Sequence, residues 1–230
     1  YRHGFRGGKA AVRGRFASSR TEAEAPMAIF RPDSGDAFPR ESPAPGSPAA
    51  LAVAWVALVA VAAIGRLCQP SWGGEPLWNF TPLGAVALAA GAIFPHRLVA
   101  ASVPVAALAI SNVMLPGYEI PALAAVVFLA TAWPVLLGGF VRSGRWTAIL
   151  GGALANSLVF FVSTNLAYWW LAGDHPLTAA GLGQCFVEAL PFYRWMPVGD
   201  VLWTTGIFGI LKMLAAATPA AVALTGRPTD

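Results

Sequence analysis

Residues 146–171, WTAILGGALANSLVFFVSTNLAYWWL, decide the fold class, because no charged side chain interrupts them. A stretch this long and apolar exceeds the ~20 residues that cross a hydrocarbon core. It must be helical, because lipid offers the backbone no hydrogen-bond partner. Closed β-barrel strands would alternate over about 10 residues, and this stretch does not alternate.

Working outward, the same texture recurs. Between Pro48 and Thr225 the only charged residues are Arg66, Glu75, Arg97, Glu119, Arg142, Arg145, Asp174, Glu188, Arg194, Asp200 and Lys212, and nearly all fall between apolar blocks. The chain is 57% hydrophobic and 11% charged with a mean hydropathy of +0.61, against roughly 25% charged in a soluble domain. Besides 146–171, the blocks are 48–64, 79–94, 98–115, 121–140 and 198–217. Stretch 177–191 is apolar but short, with Gln184 and Glu188 four apart on one face. It reads as an interfacial or re-entrant helix, with a seventh span as the alternative. The expected fold is all-α: a polytopic membrane helix bundle of about six transmembrane helices plus that short helix, over residues 48–217. Pro82 suits a first helical turn, while Pro104 and Pro134 are expected to kink their helices.

Residues 1–47 are a polar tail rich in Arg, Ser, Pro and Gly and read as disordered; 218–230 read as a short cytoplasmic tail. Met27 is a candidate start, leaving 1–26 as possible upstream sequence. An organelle transit peptide is the rival, opposed by Glu22 and Glu24. Eight of the 15 Lys/Arg precede residue 46, a distribution that fits membrane orientation rather than nucleic acid. With six spans and the N-terminus inside, every Lys and Arg except Arg66 and Arg194 falls inside. Both termini are then cytoplasmic, in a bacterial inner membrane, and Trp and Tyr gather at the outer ends. Cys68 and Cys185 make no disulfide framework and read as two thiols, with a single disulfide as the alternative.

Polar side chains inside apolar blocks are costly unless they face one another or a wet cavity. Placed by depth, Asn79 and Thr81, Asn112, Asn165 and Asp200 approach one outer level on four helices, beside His175 and Arg194 in the outer loops. One reading is an outward-facing pocket walled by Trp78, Tyr168 and Trp169. The other is interhelical hydrogen bonding. Asn156 and Ser157, after the small residues 151–155, read as helix packing in the inner half. Ala50 and Ala54 give the first helix a smooth face. There is no phosphate loop, no metal motif and no protease constellation. Neither an enzyme activity nor a cofactor or metal is expected.

Residues 79–85 (NFTPLGA), 155–165 (ANSLVFFVSTN), 175–182 (HPLTAAGL) and 189–194 (ALPFYR), leading to Gly199-Asp200, carry a resemblance. They resemble uncharacterised bacterial integral-membrane proteins assigned to transport by description alone. That family is in turn similar to the substrate-binding S components of energy-coupling-factor (ECF) transporters. The resemblance implies a bundle that captures a vitamin-like solute or a cation from outside. It also implies a coupling subunit with ATPases, docked at Ala50 and Ala54. The family often has an acid where Asn112 stands, so the ligand of this member could differ. Membrane lipid is the other expected partner, and nucleic acid is not one. The expected function is therefore transport, with Asn79, Thr81, Asn112, Asn165, Tyr168, Trp169, His175, Arg194 and Asp200 as the substrate site. A non-transporting scaffold and a lipid-acting enzyme using Asp200, His175 and Glu188 are the rivals.

Overall fold

The computed structural model describes residues 47–225 apart from 116, with side chains through 216. The expectations for residues 1–46 of the N-terminal tail and for 226–230 lie outside the described residues, whereas 218–225 of the expected C-terminal tail continue the last helix.

The described chain is helical apart from one small hairpin. α1 is Pro48–Leu67, capped by Ser47 Oγ on the amide of Ala50 at 3.2 Å. Strands β1 (Ser71–Trp72) and β2 (Glu75–Pro76) form the hairpin. Next come α2 (Leu83–Ile93) and α3 (Arg97–Asn112). α4 (Pro121–Ala132) passes through a 3₁₀ turn, Trp133–Leu137, into α5 (Gly138–Val141). α6 is Trp146–Leu171, α7 Ala179–Tyr193 and α8 Met196–Thr225. Of the two internal prolines, Pro134 coincides with the change to 3₁₀ geometry, whereas α3 continues through Pro104.

Four segments are long and apolar enough to cross a bilayer: Pro48–Leu67, Pro121–Val141, Trp146–Leu171 and Met196–Ala216. This is a membrane protein by that criterion. The expected count of about six spans is not reached, because α2 and α3 are shorter apolar helices. Leu129, Leu136, Leu158, Val162 and Ile210 are exposed on the bundle surface, as side chains facing lipid should be.

α2 is shorter than α3. It has 11 residues, about 16 Å at 1.5 Å per residue, whereas the 26 residues of α6 make about 39 Å. Gly84 through Gly91 are all buried, and α1, α3, α4, α5, α6 and α8 surround it. Close approach requires glycine at two points. A Cβ on Gly91 would strike the carbonyl of Val135, and one on Gly138 would strike the carbonyl of Gly91. The backbones therefore touch where the 3₁₀ turn crosses α2.

The ends of the bundle differ chemically. Arg142 donates from Nε to Ala92 O at 2.9 Å and from Nη2 to Phe94 O at 3.2 Å, so a cation caps the negative end of the α2 dipole. Arg97 donates to Val135 O at 2.8 Å, and Lys212 lies 4.7 Å from the Trp146 ring. The opposite end is aromatic. There Trp78 meets Phe192 at 5.9 Å and Phe161 meets Tyr193 at 4.4 Å between centroids.

Candidate functional site

The site forms where α2 begins. The chain leaves α1 at the aromatic end and runs through the hairpin to Asn79, whose φ of 60° is left-handed. Asparagine tolerates that conformation better than most side chains. Asn79 Nδ2 donates to Phe192 O at 3.3 Å, which ties this segment to α7. Pro82 then opens α2 part-way along the bundle, with its ring packed where a Cβ on Gly65 would sit. Irregular backbone at such depth is tolerated only when covered by protein or lining a cavity.

Asp200 of α8 faces this start. It is 3% exposed. Its Oδ2 accepts from Ser157 Oγ at 2.6 Å and from Asn156 Nδ2 at 2.8 Å. Gly84 is the second residue of α2, and a Cβ there would lie 2.7 Å from Asp200 Oδ1 and collide with Asn156 Nδ2. The carboxylate therefore lies against the first turn of α2, where the helix dipole favours negative charge. Uncompensated, an anion in a low-dielectric interior costs several kcal/mol. Two charge-assisted hydrogen bonds and a dipole together offset much of that.

A cavity of about 90 Å³ adjoins Asp200, lined also by Arg66, Asn79, Thr81, Tyr118, Thr131 and Asn156. Arg66 Nη1 donates to Ser111 Oγ at 2.7 Å, and Ser111 in turn donates to Ala107 O at 2.8 Å. The Tyr118 hydroxyl neighbours the guanidinium. A second cavity, of about 170 Å³, shares Asn79, Phe160 and Met196 with the first. It is lined further by Thr164, Asn165 and Tyr193. Burial, then the Asp200 carboxylate, pushes the Tyr193 phenol up.

The sequence-predicted residues divide accordingly. Asn79, Thr81 and Asp200 meet at the first cavity, and Asn79 and Asn165 at the second. Asn112 lines neither, and its buried Oδ1 has no partner. Tyr168 donates to Asp174, and Trp169 Nε1 donates to Pro176 O at 3.0 Å. His175 Nε2 pairs with Glu188 at 3.1 Å. Arg194 stacks over Trp195 at 5.8 Å. Tyr168 and Trp169 close the last turn of α6, His175 lies in the loop before α7 and Arg194 at the end of α7, and none of the four lines either cavity.

The shared outer level does not hold for Asp200. It lies level with Asn156 and Ser157, nine residues or about 13 Å along α6 from Asn165. Asn156 and Ser157, read from sequence as packing, are the partners of the carboxylate. Arg66, Gly84, Tyr118 and Thr131 were not foreseen. Of the two alanines on α1, Ala50 is exposed, while Ala54 packs against the core. Cys68 and Cys185 are both free thiols.

Residues 47–221 match the profile of a family of unknown function, DUF6580. The chain belongs to that family. No curated protein and no solved structure matches it.

Proposed function

We propose that this DUF6580 member is a membrane transport protein that binds a small solute at Asp200. The observation that carries this reading is a polar cavity beside a buried carboxylate. Asp200 is fixed through one oxygen only, and a polar cavity adjoins it. A carboxylate that merely joined helices would need no such space. The larger cavity toward the aromatic end serves as the vestibule. In the inner membrane, with the basic end and both termini cytoplasmic, the solute enters from outside. Energy comes from a partner, as the likeness to S components suggests. A coupling subunit would meet α1 on the face of Ala50, Val53 and Ala57, which is exposed.

The scaffold reading has one specific support, the Asp200–Asn156–Ser157 joint between α6 and α8. Thermal unfolding of the detergent-purified chain separates the two, because a ligand raises stability by RT ln(1 + [L]/Kd). The panel is alkali cations, small amines, amino acids and B vitamins. Transport predicts that at least one raises Tm, and that Asp200→Asn abolishes the rise. A flat response from the whole panel, or a rise that survives Asp200→Asn, contradicts it.

A further inference from the structure

We infer that the solute class is a small zwitterion, with its ammonium on Asp200 and its carboxylate on Arg66. This rests on the solute-binding reading above and narrows it.

The two groups line one cavity with opposite formal charges, and they do not pair with each other. Among the described residues no nitrogen of Arg66 comes within 4.0 Å of an Asp200 carboxylate oxygen. Two such charges attract strongly at low dielectric, yet packing holds them on separate walls. Arg66 comes from the last turn of α1, where it is fastened to Ser111 of α3. Asp200 comes from the first turns of α8, fastened to α6.

Each charge is also incompletely satisfied. A guanidinium has five N–H donors, and here one donates to Ser111 while the Tyr118 hydroxyl stands beside it. Asp200 uses Oδ2 for both of its hydrogen bonds. Burying charge without partners is costly; Asp200 is buried and Arg66 half-buried, so the cavity favours one occupant that answers both signs. A lone cation would leave Arg66 unanswered. A lone anion would face Asp200. A molecule carrying ammonium and carboxylate a few bonds apart answers both.

Size sets the scale. A water takes about 30 Å³ of liquid, and a dry cavity of about 150 Å³ admits benzene. A cavity of about 90 Å³ therefore suits a solute of a few heavy atoms. Thr81, Asn79 and Thr131 supply neutral polar groups between the charged walls.

The experiment compares glycine with its two halves, methylamine and acetate, and with sodium and potassium chloride. The readout is thermal shift on the full chain and on Asp200→Asn, Arg66→Gln and Arg66→Lys. The expected result is a shift with glycine at concentrations where methylamine plus acetate gives none. Asp200→Asn and Arg66→Gln should each weaken apparent glycine affinity at least tenfold, and Arg66→Lys less. Arg66→Lys also supplies the Arg66 comparison should Arg66→Gln fail to fold. If methylamine or an alkali cation matches glycine and the Arg66 variants make no difference, the zwitterion assignment is wrong while solute binding at Asp200 stands. If no probe here and none of the wider panel shifts Tm, both fall.

Discussion

Ser157 shows what a single hydroxyl does in this bundle. Its Oγ donates to Asp200 at 2.6 Å, and it also lies 3.3 Å from Ala153 O, one turn back on its own helix. An interhelical hydrogen bond in a membrane protein contributes on the order of 1 kcal/mol, and one to a charge somewhat more. Ser157→Ala is expected to lower unfolding stability by about 1–2 kcal/mol, since Asn156 remains to hold Oδ2. Chemical unfolding in mixed micelles measures it, and an unchanged midpoint would remove Ser157 from the site. Glycine at position 84 is equally specific, because any side chain there would fill the space that Asp200 and Asn156 occupy.

At the scale of elements, α2 is a half-length helix held by charge at both ends, Asp200 at its start and Arg142 at its finish. Partly buried charges at helix ends contribute up to about 2 kcal/mol. Arg142→Gln should therefore destabilise the bundle by roughly 1–2 kcal/mol, read as a lower Tm with helicity retained. α7 gives a pH test instead. Hydrogen bonds from Gln184 and then His175 hold the Glu188 carboxyl below its usual 4.5. A lowered folded-state value adds stability above that pH and loses it as pH falls through the folded value. The Tm gap between the natural chain and Glu188→Gln should thus be present near neutrality and close as pH drops below 4.5. A gap independent of pH would mean that the carboxylate charge plays no part.

For the whole molecule, the apolar blocks were legible because bilayer thickness and backbone satisfaction leave few alternatives. Block 146–171 matches α6 residue for residue. Depth was less legible. Counting residues assumes that every helix starts at the same surface, and two do not. α2 starts part-way along the bundle, and α8 starts with Asp200 already level with Asn156. That sinking turns Asn156 and Ser157 from packing residues into ligands of the carboxylate. It also leaves Asn112, His175 and Arg194 away from the cavity. No spacing in the sequence reports it, because it is set by the irregular segment before Pro82 and by α7 folding beside the end of α6. Arg66 could have been suspected, as a charge in the last turn of an otherwise apolar helix.

Thr81 lines the cavity from the segment that precedes α2. It therefore reports whether water and solutes reach Asp200. The measurement is modification of Thr81→Cys by a membrane-impermeant thiol reagent in sealed vesicles. Cys68 and Cys185 are replaced by Ser in that chain, and a parallel chain keeps the exposed Cys68 as control. A solute site entered from the aromatic end predicts that Thr81→Cys reacts from the same side as Cys68. If Cys68 reacts and Thr81→Cys, folded in the same membranes, stays unmodified, the cavity is closed to solutes and the transport reading is contradicted.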